Sequence, residues 1–99
     1  SILNMTKADI INKVSKETGF TKVEIEIILD SILNSIKLSL ANGERIDMRG
    51  FGSFVVKKRN ARDSRNPATN EILKLDARYI PSFKVSKLLK NYVNNNLIN

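Results

Sequence analysis

Arg59, Arg62 and Arg65 stand at the head of a polar stretch, residues 59–74, that reads Arg-Asn-Ala-Arg-Asp-Ser-Arg-Asn-Pro-Ala-Thr-Asn-Glu-Ile-Leu-Lys. A guanidinium is always charged and presents a planar fork of donors, which suits it to phosphate, sugar and base-edge acceptors. From Arg59 to Glu71 the stretch holds no Val, Leu, Ile, Met or aromatic residue. It cannot build a core, so the rest of the chain must hold it out. A solvated basic hairpin with no partner is the bland reading of this segment; an arm that grips an anionic polymer is the functional one. Catalysis is poorly provided for. With no histidine and no cysteine, the commonest general base, the commonest zinc ligand and any thiolate are missing, and the sequence predicts neither an enzyme nor a metal or cofactor site.

The elements that position these arginines follow from charge and periodicity. Residues 1–48 carry six Lys and Arg against seven Asp and Glu, whereas residues 49–99 carry eleven against three, so the net charge of +7 belongs to the second half. That asymmetry points to an anionic polymer or surface, against the alternative of a merely solubilising lysine excess. At 99 residues the chain is one small domain, marginal on its own. No apolar run fits a signal peptide or a membrane span, because Ile27-Ile28-Leu29 is flanked by Glu26 and Asp30, and a soluble, cytoplasmic protein is expected.

Thr6 with Asp9 predicts the start of a helix over Lys7–Thr18, stapled by Met5 on Ile10, turning Ile10, Ile11 and Val14 inward and stopping at Gly19. Thr21 with Glu24 is a capping box, and Phe20 with Ile25 a second staple, for a helix over Lys22–Ala41 that ends at Asn42-Gly43. Its stripe of Ile25, Ile28, Leu29, Ile32, Leu33, Ile36 and Leu40, with Ile27 and Leu38 beyond it, is wide enough for burial on two sides. One side would face the chain's own elements, the other a second subunit. Glu44–Met48 reads as a short strand, Arg49-Gly50 as a turn, Phe51–Lys58 as a longer strand with Phe54 and Val56 on one face, and Ile72 onward as a return strand that Pro81 ends. A long hairpin joins the last two. Residues 84–93 suit a last helix with Val85, Leu88, Leu89 and Val93 inward, and residues 1–4 and 94–99 are expected to be flexible tails.

The run Arg49-Gly50-Phe51-Gly52-Ser53-Phe54, then Arg59, Arg62, Arg65-Asn66-Pro67 and Thr69, then Pro81-Ser82-Phe83-Lys84 and Lys87 resembles the HU/integration host factor family of bacterial histone-like DNA-binding proteins over about residues 5–93. Asn70 stands where the family usually has glycine, Val85-Ser86 departs from its pattern before the last helix, and Asp63 adds a negative charge to the arm. The resemblance implies an α+β fold: an N-terminal helical hairpin (5–43), a three-stranded antiparallel sheet with a protruding β-hairpin arm (44–83, arm about 57–76) and a short C-terminal helix (84–93). It also implies an intertwined obligate dimer whose arms enter the minor groove of double-stranded DNA.

Under that resemblance Arg59, Arg62, Arg65, Asn66, Pro67 and Lys74 form the DNA-binding arm. Pro67 is either a wedge between base pairs or a turn residue, and Asn66 either a base-edge contact or part of the turn. Lys57, Lys58, Arg78, Lys84, Lys87 and Lys90 would meet phosphates, and Arg49 and Ser53 would clamp the backbone below the arm. Phe51, Phe54 and Phe83 are expected in the dimer core with Ile32 and Ile36 rather than stacked on bases. The expected function is a nucleoid-associated homodimer that bends and compacts DNA with little base specificity and prefers bent, nicked or gapped duplexes. Sequence-preferring bending of the integration-host-factor kind is the near alternative, and RNA binding the distant one.

Overall fold

The computed structural model describes residues 4–98. In chain order its elements are α1 (Lys7–Thr18), α2 (Lys22–Ala41), β1 (Ile46–Met48), β2 (Gly52–Arg59), β3 (Arg62–Arg65), β4 (Ile72–Leu75), β5 (Arg78–Val85) and α3 (Lys87–Ile98). They divide into two compact units, Ser1–Leu38 and Ser39–Asn99.

In the first unit both helix starts are fixed by reciprocal caps. The Asp9 N–H donates to the Thr6 hydroxyl at 3.2 Å and the Thr6 N–H to the Asp9 carboxylate at 2.9 Å; Thr21 and Glu24 repeat the exchange at 3.0 and 3.1 Å. α1 stops at Gly19, whose φ of 84° lets its N–H reach the Ser15 carbonyl. An ion pair of 2.5 Å between Lys7 and Asp30 ties the first turn of α1 to a point more than two turns into α2, so the helices run antiparallel. That bond to Asp30 holds the Lys7 ammonium above its ordinary range.

The apolar stripe is only partly covered. Ile11 and Ile25 are buried, and Val14, Leu29 and Ile36 half-buried. Ile10, Ile28, Ile32 and Leu33, all expected inward, are 41 to 49 % exposed. Met5 and Phe20 are also exposed, so the expected Met5–Ile10 staple leaves both members in solvent and the Phe20–Ile25 staple one. Much of so wide a stripe is left open to solvent.

The second unit holds a three-stranded antiparallel sheet in the order β1-β2-β5. Gly50 (φ 82°) makes the reversal between β1 and β2, with the Phe51 N–H bonded to the Met48 carbonyl at 2.9 Å. At Gly52 a Cβ would collide with the Phe83 ring and the Lys84 carbonyl, so only glycine fits that ladder position. Val55 is the buried apolar side chain of β2, with Gly52 buried at its start, whereas Phe54 and Val56, expected to define its inward face, are half-buried. Val55 stands alone among Ser53, Lys57 and Arg59 on its side of the strand, while Phe54 and Val56 share the other.

Pro81 does not end the return strand; β5 runs through it to Val85, with Pro81 opposite Val56. β5 is an edge strand, where a residue without an N–H costs the ladder nothing if it faces outward. Lys84 and Val85 therefore belong to β5, and α3 begins three residues later than expected because Ser86 caps it, accepting the Leu89 N–H at 3.1 Å. Residues 94–98 of the expected tail are helical as well, and residue 99 lies outside the described residues: α3 continues through Asn94–Asn96 to Ile98, with the Asn96 amide donating to the Tyr92 carbonyl at 2.7 Å. Of the four residues expected to pack inward from the last helix, only Leu89 is half-buried; Val85, Leu88 and Val93 are exposed. Residues 1–3 of the expected N-terminal tail lie outside the described residues.

Candidate nucleic-acid interface

The arm is not one continuous ladder. β2 and β5 pair as far as Arg59 opposite Arg78. Asn60 and Ala61 on one side, and Asp76 and Ala77 on the other, then leave the sheet, and β3 and β4 pair separately from Arg62 opposite Leu75 to Arg65 opposite Ile72. Two residues are skipped on each strand, so the register carries across unchanged. Asn, Asp and Ala are weak strand formers, which accounts for the break.

Three arginines gather at this joint. Arg59, Arg62 and Arg78, with Asn60 and Ala61, line a hollow of about 400 Å³. Arg59 and Arg78 are direct cross-strand neighbours, and like charges so placed repel. An anion seated between them would relieve that repulsion. Further out, Asp63 lies opposite Lys74, setting its negative charge across from a cation of the same arm.

The tip is closed by its own side chains. The Asn66 N–H donates to the Glu71 carbonyl at 2.9 Å, and the Asn70 N–H to the Asn66 carbonyl at 2.7 Å. Asn66 Oδ1 accepts the Ala68 N–H at 2.9 Å, so its side-chain oxygen shapes the turn. Asn70 takes a φ of 61°, the left-handed conformation that glycine adopts most readily, and asparagine accommodates it. Arg65 is drawn toward the turn, its Nη1 donating to Asn70 Oδ1 at 3.1 Å. Pro67 stands exposed at the outer corner, with neither Arg65 nor Pro67 in the hollow at the base.

Below the arm, Ser53 is already engaged. Its hydroxyl donates to the Asp47 carboxylate at 2.5 Å, and Arg45 Nε donates to the same oxygen at 2.9 Å. The Ser53 hydroxyl first, and Arg45 second, hold the Asp47 carboxyl below the usual range. These residues share a groove of about 490 Å³ with Arg49, Lys84 and Ser86. Sequence reasoning named Ser53 and Arg49 but missed Arg45 and Asp47; the available signal was register, since Asp47 pairs directly with Ser53. Lys57 is half-buried on β2 and Lys58 exposed, while Lys87 and Lys90 lie three apart in the first turn of α3.

The phenylalanines form one cluster. Phe83 is tilted against Phe51 at 5.7 Å and against Phe54 at 5.0 Å between ring centroids, distances at which aromatic pairs attract. Phe51 and Phe83 remain 54 % and 41 % exposed. Ile32 and Ile36, expected in the same core, lie on α2, exposed and half-buried respectively.

The family model described as bacterial DNA-binding protein matches residues 5–94. The chain is 42 % identical over 90 residues to integration host factor subunit alpha of Anaeromyxobacter sp. strain Fw109-5, covering 91 % of each. It is 43 % identical over 89 residues to DNA-binding protein HU of Thermotoga maritima, covering 90 % of this chain and 99 % of that one. Among solved structures, Anabaena HU in a cocrystal with DNA superposes with a TM-score of 0.82 at 32 % identity, covering 90 % of this chain and 97 % of that one. A helical hairpin, a β1-β2-β5 sheet with an arginine-bearing arm, and a match over nearly the whole chain together make this protein a member of the bacterial DNA-binding family that includes HU and integration host factor.

Proposed function

We propose that the chain acts as a homodimeric, nucleoid-associated architectural protein that binds double-stranded DNA through its two arms, with little base specificity, and bends it. The observation that carries this reading is the arm: an exposed proline at the tip of a paired, polar hairpin whose base gathers three arginines. A solved relative that superposes on this chain with a TM-score of 0.82 is an HU in a cocrystal with DNA. Arginine gains from the enhanced negative potential of a narrow minor groove, which suits Arg59, Arg62 and Arg65. Pro67, rigid and without an N–H, is shaped to enter between base pairs and open a kink. Lys57, Lys58, Arg78, Lys84, Lys87 and Lys90 supply charge for phosphates along the flanks, with Arg49 beside them. Ser53 acts through Asp47 in the free protein.

Dimerisation answers the second feature. Among the described residues only Ile11, Ile25 and Val55 are buried apolar side chains, while Ile28, Ile32, Phe51 and Phe83 stay exposed. A second copy is the partner always present at equal concentration. Nucleoid association follows from the DNA reading.

Bending a site of 20–30 base pairs costs on the order of 1–6 kcal/mol, and a break in one strand lowers that cost. Competition between intact and nicked duplexes of one sequence tests the reading. A clear preference for the nicked duplex is expected; equal affinity for both would remove the wedge. Selection from random duplexes measures base preference in the same preparation.

A further inference from the structure

Of the arginines at 59, 62 and 65, only Arg65 has its guanidinium held by the protomer itself among the described residues. Its Nη1 donates to Asn70 Oδ1 at 3.1 Å and, over a longer 3.4 Å, to the Asn70 carbonyl. Arg59 and Arg62 have no such tie among the described residues. The acceptor is carried on a turn that is fixed on both sides. The Asn70 N–H is bonded to the Asn66 carbonyl at 2.7 Å, and the Asn66 N–H to the carbonyl of Glu71, the residue after Asn70, at 2.9 Å.

Glycine, which takes the left-handed conformation most readily, would close this turn as well. It would supply no Oδ1, and only the longer bond to the carbonyl would remain. The side chain at position 70 therefore does something that the turn does not require. Ile72 stands directly opposite Arg65 in the ladder, close enough in an antiparallel pair to lie along the arginine's aliphatic stem. Both bonds to Asn70 use Nη1, which leaves the Nε and Nη2 donors for sugar and base-edge acceptors.

We propose that Asn70 is a positioning residue for DNA binding: it holds the Arg65 guanidinium at the arm tip, two residues from Pro67, before the duplex arrives. This deepens the DNA reading and rests on it. A long side chain that is stilled only on binding lowers affinity, and one already held loses less. Arg65 thus meets the groove preorganised, whereas Arg59 and Arg62 are ordered by the DNA itself.

A double-mutant cycle on the full chain tests this, with Asn70→Gly, Arg65→Ala and the two together, and duplex affinity measured at one salt concentration. Asn70→Gly is expected to weaken binding by about two- to tenfold for each arm engaged, the effect of having to still one long side chain. In the Arg65→Ala background the same change is expected to have no further effect, because no guanidinium is left to hold. A loosened turn would weaken binding equally in both backgrounds, and that result would overturn the inference while leaving the DNA reading intact. Tighter binding by Asn70→Gly would overturn it as well, since Asn70 would then compete with DNA for Arg65. In the free protein, the nitrogen-relaxation order of the Arg65 Nε–H is expected to exceed that of Arg59 and Arg62 and to fall to their level in Asn70→Gly; equal mobility of all three in the parent chain would also overturn it. A parent chain that binds no duplex would overturn the DNA reading and the inference together.

Discussion

Asp9 and Glu24 each accept the N–H of the threonine three residues earlier and, through their own N–H, bond its hydroxyl. The backbone bond first, and the hydroxyl second, hold both carboxyls below their ordinary range. In the unfolded chain these groups titrate near about 3.9 for Asp and about 4.3 for Glu. Folded, they take up a proton at lower pH, so the unfolded chain binds more protons in acid. Their contribution is present above about pH 4.3 and is lost as pH falls through the folded values. The variant Asp9→Asn with Glu24→Gln is expected to melt at lower temperature at pH 7, with the gap closing below about pH 4; a constant gap across the range would disprove the cap contribution. These caps were legible in sequence because a capping box is local, with both partners inside four residues. Asp47 titrates in the same direction but escaped sequence reading, because its partner Ser53 comes to it only through the register of β1 on β2. The turn role of Asn66 was open for a related reason: the sequence offered both uses of its amide, and the Ala68 N–H takes the oxygen.

Elements whose signals lie within themselves were read closely. The bounds Lys7–Thr18 and Lys22–Ala41 match the expectation, since each helix has a cap at its head and a glycine at or just beyond its end. Elements defined by neighbours were not. Pro81 ends an isolated strand but is tolerated on an edge, and edge position is a property of the sheet. The end of α3 was missed because the asparagines at 94–96 are weak helix formers, yet Asn96 bonds back to Tyr92. The joint in the arm was missed because a hairpin was assumed to pair throughout. That joint has a dynamic consequence. β3 and β4 pair only with each other, and two-stranded ribbons are marginal in water. The amides of Arg62–Arg65 and Ile72–Leu75 are therefore expected to exchange hydrogen much faster than those of Ser53–Lys57, and to slow when DNA is added. Equal protection of arm and sheet without DNA would show that the arm is rigid before binding.

For the molecule as a whole, affinity and deformation should separate, because they come from different places. The charge of +7 is concentrated from Arg49 onward, and its lysines other than Lys74 lie on the three-stranded sheet and on α3, while the proline that would kink the duplex stands at the arm tip, beyond the joint. Phosphate neutralisation releases counterions, so each contact contributes about −0.9 to the slope of log affinity against log salt on B-form DNA. Replacing Lys87 and Lys90 by alanine is expected to weaken binding to all duplexes alike and to make that slope shallower by up to roughly two per protomer engaged. The preference for nicked over intact DNA should survive, because the tip is untouched. Pro67→Ala is expected to do the reverse. It removes no charge, so the salt slope stays, but a tip that no longer opens a base step gains little from a break in the strand, and the nicked-duplex preference should collapse toward unity. Parallel salt titrations of both variants on both duplexes measure all four quantities. If Pro67→Ala shifts the slope, or if the lysine variant abolishes the nick preference, then contact and kink are not divided between body and tip, and the arm holds its proline only to turn the chain.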